Sequence, residues 1–335
     1  MTALLLLLTL SAPPPAAEIY ELDRETGAVS LLVAAAAPPF VSLRPSGYSP
    51  NGETLLLLAE KELNDPTGRL LAFDRREATL VDLCEGAEAE WTSPTALVVL
   101  TRESGGHATG GNLWAVSRDD PSRPVPLPLP QMDWFDISPD QRFVRYEHYD
   151  GDRGEVYGVL AEFDGATLQT IATEPFAAMS TIFFVRPPSA DVAFSMVEVG
   201  RPRNFLSTSQ DHPVLLAVRD FIRPAGGGTP EPAATSRVLL KATPKLTTAS
   251  LPRSADGTGD LFFRLRRPDG RHGIGRVSQD GPGDFTTEIL CPPGVSVPGY
   301  AVSRDARFVT FSATLASSTR KDGSAYPPSD LRPTN

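Results

Sequence analysis

Paired cysteines, long apolar runs and positive charge are all scarce in this sequence of 335 residues, and each shortage removes a class of protein. There are two cysteines, Cys84 and Cys291, too few for a disulfide framework. Beyond the N-terminus no stretch approaches the roughly 20 apolar residues needed to cross a bilayer, so no membrane insertion is expected. Lys and Arg number 31 against 41 Asp and Glu, a net charge of −10. That balance argues against nucleic acid or an anionic membrane surface as partner. Phosphate loops are missing as well. Gly105-Gly-His-Ala-Thr-Gly-Gly111 lacks the Lys-Ser/Thr pair and a strand-to-helix setting, and reads as a hairpin loop. A Gly-x-Ser-x-Gly nucleophile elbow is also missing. Gly47-Tyr-Ser-Pro-Asn51 and Gly294-Val-Ser-Val-Pro298 both lack the final glycine. Asp150-Gly-Asp-Arg-Gly-Glu155 lacks the third oxygen ligand and the distal Glu of a calcium loop and reads as a solvated turn.

Proline is plentiful instead. The 33 prolines in 335 residues are about twice the usual ~5%. Proline breaks helix interiors and is tolerated in turns and at strand edges, which argues against a mostly helical protein. Hydrophobic residues make up 41% of the chain, enough for a large core.

The first residues, Met1-Thr-Ala-Leu-Leu-Leu-Leu-Leu-Thr-Leu10 followed by Ser-Ala-Pro-Pro-Pro-Ala-Ala17, form a short leucine run that ends in small residues and proline. This pattern reads as a secretory signal peptide over residues 1–17, cleaved after Ala17. No Lys or Arg precedes Arg24, so its positive end is only the terminal amine. No cysteine follows that would carry a lipid anchor.

A repeat organises the rest. Tyr48-Ser-Pro-Asn-Gly-Glu-Thr-Leu-Leu-Leu-Leu58, Ile137-Ser-Pro-Asp-Gln-Arg-Phe-Val-Arg-Tyr146 and Val302-Ser-Arg-Asp-Ala-Arg-Phe-Val-Thr-Phe311 each place a Ser-Pro-Asp-Gly-like turn before a strand. Ser and Asp side chains bond nearby amides, Pro presets φ, and Gly or Asn accepts φ > 0. Weaker copies stand at Ser93-Pro94, Arg186-Pro187 and Ser254-Ala-Asp-Gly257. The anchors at 49, 93, 138, 186, 254 and 303 are spaced by 44, 45, 48, 68 and 49 residues. A period of about 45 matches a four-stranded propeller blade. The long interval holds Pro224-Ala-Gly-Gly-Gly-Thr-Pro-Glu-Pro232, an expected irregular insertion.

With strands lettered a to d, the repeat turn joins a to b. A c–d hairpin follows five anchors, at Arg69–Leu83, Asn112–Leu127, Glu155–Ala172, Pro213–Leu240 and Gly273–Leu290. The anchor at 303 has none. The missing hairpin stands at the other end of the chain, where Glu18–Val33 reads as strand, Glu-Thr-Gly turn, strand. The expected fold is therefore an all-β, six-bladed β-propeller over residues 18–315, its last blade closed by the N-terminal hairpin, with a tail at 316–335.

The Ser-Pro-Asp-Gly turn, strand and following hairpin resemble the WD40-like repeats of TolB-type β-propellers, over roughly residues 18–315. That resemblance implies an exported, periplasmic or secreted protein, since family members are typically exported and the namesake is a periplasmic partner protein of a cell-envelope complex. It specifies fold far more than activity.

Four histidines, His107, His148, His212 and His272, fall in or beside b–c connections of blades 2 to 5. Strand alternation puts those connections and the d–a connections on one face. Histidine is the commonest metal ligand, and some propeller polysaccharide lyases use a histidine-bound metal. Against a shared metal, strands about 4.8 Å apart put b–c turns on the order of 12–15 Å from the axis. Ligands must come within about 2 Å of the ion. Cys84 and Cys291 sit at equivalent strand d ends with a blade between them, too far apart for a disulfide. The d–a connections carry Glu85, Glu88, Glu90, Asp133 and Glu174 against Lys245, which predicts an acidic mouth able to attract a basic peptide or a cation.

The reading is an exported, monomeric, non-enzymatic binding or scaffold propeller that presents a loop face to a protein or peptide partner, with no catalytic, cofactor or metal residue assigned. The alternative is a metal-assisted hydrolase or polysaccharide lyase with its site on the same face.

Overall fold

The computed structural model describes residues 18–315 apart from 34–39, 41, 62–67, 103–110, 128, 133, 151–154, 164–167, 176–180, 201–214, 236, 242–246, 249–252, 255–257, 268 and 279–285. Among the described residues every regular element is a strand, and the strands form six small antiparallel sheets. Blade 1 runs Ser42–Tyr48, Thr54–Glu60, Gly68–Asp74, Thr79–Gly86. Blade 2 runs Glu88–Trp91, Ala96–Thr101, Asn112–Ser117, Val125–Pro126, and blade 3 Trp134–Ile137, Phe143–Asp150, Glu155–Phe163, Leu168–Pro175. Blade 4 runs Thr181–Val185, Val192–Gly200, Leu215–Ile222 and a divided strand d, Glu231–Pro232 and Arg237–Lys241. Blade 5 has a divided strand a, Thr247–Thr248 and Arg253–Ser254, then Leu261–Arg266, His272–Val277 and Thr286–Leu290.

Blade 6 joins the two ends of the chain. Tyr300–Val302 and Phe308–Leu315 supply a and b, and Glu18–Asp23 and Ala28–Val33 supply c and d. The seam between b and c pairs Tyr20 with Phe311 and Leu22 with Val309. The innermost strands touch in blade order from 1 to 6, and the last meets Ser42–Tyr48 of blade 1. The ring is closed, with the N-terminal hairpin where the repeat count places it.

The repeat turn has one geometry in three copies. Ser49 Oγ donates to Asn51 Oδ1 at 2.7 Å and accepts the Thr54 amide at 3.0 Å. Ser138 Oγ does the same with Asp140 Oδ1 and the Phe143 amide, and Ser303 Oγ with Asp305 Oδ1 and the Phe308 amide. The fourth residue must take a left-handed conformation. It is Gly52 in blade 1, with φ +73°, but Gln141 and Ala306 in blades 3 and 6, at +62° and +59°.

Hydrophobic packing lies between blades. In the run Leu55-Leu56-Leu57, residues 55 and 57 face blade 6, against Ile19 and Ala301, while Leu56 faces blade 2, against Leu97 and Val99. Side chains alternate across a strand, so an uninterrupted apolar run marks a strand buried on both sides. The N-terminal strand is sandwiched likewise. Ile19 packs toward blade 1, while Tyr20 and Leu22 pack toward Phe262 and Ile274 of blade 5.

Arginines just after strand c clip neighbouring blades together. Arg24 of blade 6 reaches Glu288 of blade 5 at 2.9 Å, and Arg75 of blade 1 reaches Glu21 of blade 6 at 2.7 Å. Arg118 of blade 2 donates to Thr54 of blade 1, and Arg223 of blade 4 pairs with Glu162 of blade 3 at 2.8 Å. Each points back to the preceding blade. The proline-rich insertion of blade 4 is more regular than expected. Glu231–Pro232 returns to pair with Phe221 and Ile222 at the end of strand c.

Candidate functional site

One face of the disc carries the b–c turns and the d–a connections, and its best-described feature is the b–c hairpin of blade 5. Arg266 closes strand b and pairs in register with His272, which opens strand c. Period-two alternation puts Arg264, Arg266 and His272 on the side of the sheet that turns toward blade 6, in line with the buried Phe262 and Ile274. Arg264 Nη1 donates to the Pro298 carbonyl at 2.6 Å and so pins the connection into blade 6. Arg267 and Arg271 hold the turn through an Arg267 amide bond to the Arg271 carbonyl at 2.8 Å.

The charge is one-sided. Arg271 is neutralised by Asp269 at 2.6 Å. Arg266 and Arg267 are exposed; Arg266 has no ion-pair partner among the described residues, and Arg267 shares the charge of Asp269 with Arg271. Burial, followed by the like charges of Arg266 and Arg264, pushes the His272 imidazole below the usual histidine range. Residues 237–276 contain nine Arg or Lys against three Asp, in a chain whose net charge is −10.

The expected acidic mouth lies across the ring, and it is partly neutralised. Arg69 pairs with Asp82 at 2.7 Å and lies 3.7 Å from Glu85, and Arg102 lies 4.0 Å from Glu88. Arg69 is the register partner of Glu85, a relation that sequence order hides. Asp133 and Lys245 fall outside the described residues, as does the side chain of Glu174.

His107 and His212 also fall outside the described residues, and for His148 the backbone alone is described, within Phe143–Asp150. His272 sits beside two guanidinium groups, a setting that repels a metal cation. Among the described residues no three His, Cys, Asp or Glu side chains gather in a metal-holding group. Cys84 and Cys291 are free thiols pushed by burial to about 11 and about 12, so both stay protonated at neutral pH. Ser49, the serine of the nearest elbow-like string, is fully buried, and its hydroxyl is committed to the repeat turn. The residues between Asp150 and Glu155, and those from 103 to 110, fall outside the described set.

No model of a known protein family matches the sequence, and no curated protein matches it. Solved propellers are similar in fold. TolB from Acinetobacter baumannii has a TM-score of 0.46 and 11% identity, covering 89% of this chain and 64% of that one, so the chain spans less than two thirds of that protein. An oligogalacturonate lyase from Vibrio parahaemolyticus has a TM-score of 0.45 and 10% identity, covering 88% of this chain and 78% of that one. The β-propeller domain of the Trilobed protease from Pyrococcus furiosus has a TM-score of 0.44 and 9% identity, covering 86% of this chain and 85% of that one. These are likenesses of fold alone.

Proposed function

We propose that the chain is an exported, non-enzymatic TolB-like propeller that presents its b–c and d–a loop face to a protein or peptide partner. The observation that carries this reading is the segregation of charge on a closed, rigid ring. A basic hairpin on blade 5 stands opposite an acidic arc where blade 1 meets blade 2, and a surface of this kind steers and orients a macromolecule. The side chains with chemical potential that are described, Ser49, Cys84, Cys291 and His272, are buried, protonated or flanked by like charge. Export draws support from the leucine run, and strand c of blade 6 begins at Glu18, so cleavage after Ala17 would leave every described strand in place. Affinity capture from envelope extract, with N-terminal sequencing and elemental analysis of the purified protein, tests the proposal. A reproducible protein partner, a mature end at Glu18 and no stoichiometric metal are the expected outcome. Measurable hydrolase or lyase turnover with a bound metal, beside repeated failure to find a partner, would overturn it.

A further inference from the structure

The b–c hairpin of blade 5 permits a narrower statement, which rests on the loop-face reading above. We propose that Arg266 and Arg267, flanked by Arg264 and His272, form the docking point for a glutamate- or aspartate-rich segment of the partner protein. The hairpin tip is exposed at Arg266, Arg267, Asp269 and Gly270. The acid of the same turn, Asp269, is already paired with Arg271 at 2.6 Å. The tip therefore presents three guanidinium groups, of Arg266, Arg267 and Arg271, against the single carboxylate of Asp269, and Arg266 faces solvent with no ion-pair partner among the described residues. Guanidinium groups match carboxylates through two parallel N–H donors, so two such groups at one turn favour a run of carboxylates over a single one.

The form of the site favours a peptide. Small-ligand and sugar sites are concave and lined by aromatic side chains. This tip is exposed, and residues 264–272 contain no Phe, Tyr or Trp. It is also anchored from beneath, because Arg264 holds the Val297–Pro298 backbone and the Cys291 amide bonds the His272 carbonyl at 2.8 Å. The charges are thus presented on a fixed support, which lowers the ordering cost of binding.

The test is fluorescence anisotropy with a labelled oligoglutamate peptide, against an oligolysine peptide of the same length and a polygalacturonate chain. The full chain is compared with its Arg266→Glu/Arg267→Glu variant. Both positions are exposed, so the fold should persist, and an unchanged thermal midpoint confirms it. Arg267→Ala serves as a milder second variant. The proposal expects binding of oligoglutamate that weakens with salt, since screening acts within about 8 Å at physiological ionic strength. It further expects a loss of roughly tenfold or more on double charge reversal. No binding of oligoglutamate, or equal binding by the reversed variant, would refute the docking point. Tighter binding of polygalacturonate through the same arginines would refute the assignment to a protein segment. If the variant captures the same envelope partner as the parent chain, the loop-face reading survives and this docking point does not. If the parent chain captures nothing, the reading itself fails.

Discussion

Substituting Glu21 by Gln is the sharpest test of how the ring is held shut. Glu21 lies on the N-terminal strand of blade 6 and is 7% exposed. Its carboxylate accepts the Tyr48 hydroxyl at 2.6 Å and the Arg75 guanidinium at 2.7 Å, both from blade 1, and Thr310 of strand b completes the cluster. Burial, then the Glu21 charge, pushes the Tyr48 phenol far above its usual range, so Tyr48 stays a donor. Glu21→Gln leaves Arg75 without its anion. Breaking one side of a buried pair costs about 3–5 kcal/mol. Arg75 keeps the Gly52 carbonyl at 2.8 Å and the Phe308 ring at 4.1 Å, and its side chain is 19% exposed. The lower end, about 3 kcal/mol, therefore applies. At about 2.1 cal/mol/K per residue, a ring of roughly 300 residues has an unfolding entropy near 0.6 kcal/mol/K, so the midpoint should fall by about 5 °C. Differential scanning calorimetry reads this, with Arg69→Ala as the control. Arg69 sits in an exposed pair with Asp82, worth under about 1 kcal/mol. A double variant, Glu21→Gln with Arg75→Met, should recover part of the loss, because an apolar replacement removes the stranded charge. If Glu21→Gln costs no more than Arg69→Ala, the closure does not depend on this cluster and the reasoning fails.

Four further outcomes are expected. Ala78 is exposed and left-handed, with φ +52°, so Ala78→Gly should raise urea stability by roughly 0.5–1 kcal/mol. Ala306→Gly gains the same relief but surrenders a methyl buried between blades 5 and 6, worth about 0.8 kcal/mol, and should be near neutral. Ser138→Ala leaves the buried Phe143 amide without its hydroxyl acceptor and should cost about 1–3 kcal/mol by the same assay. The His272 imidazole is lowered in the folded state by burial, then by Arg266 and Arg264, so protonation favours the unfolded chain. The contribution is complete above the unfolded value of about 6.5 and is lost as pH falls through the folded value. His272→Asn should therefore flatten the midpoint-versus-pH profile between about pH 7 and pH 5 relative to the parent chain, and parallel profiles would refute this.

The parts of this fold that were legible in sequence are those whose physics is local. The turns at Ser49, Ser138 and Ser303 bond only residues within five positions of themselves, so the same letters recur wherever the same geometry does. Counting those turns together with the weaker copies at 93, 186 and 254 gives six blades, and the unmatched anchor at 303 locates the closing hairpin. The divided strands of blades 4 and 5 were not legible. Their short segments carry no period-two pattern long enough to read, and the register that joins Glu231–Pro232 to Phe221 and Ile222 crosses the Gly-rich insertion.

Charge was only partly legible, for a different reason. An acidic mouth was inferred by listing residues along d–a connections, but whether a carboxylate is free depends on its cross-strand partner. Arg69 stands opposite Glu85 across the c–d pairing, and Arg102 approaches Glu88 across the a–b pairing. The blade 5 hairpin is not legible in composition, because its interest lies in what is missing, an ion-pair partner for Arg266, and composition records only what is present. One long-range contact did leave a local trace. Asp23-Arg-Glu-Thr-Gly27 and Asp74-Arg-Arg-Glu-Ala78 are the same c–d turn, and Gly27 and Ala78 both take positive φ. In each the aspartate accepts amides of the turn, and the arginine after it reaches the preceding blade. Aligning those two turns identifies the N-terminal hairpin as a c–d unit without counting blades. It also marks Arg24 and Arg75 as the groups that join blade 6 to its neighbours. The carboxylates they meet, Glu288 and Glu21, lie 264 and 54 residues away, and only the closed ring brings them together.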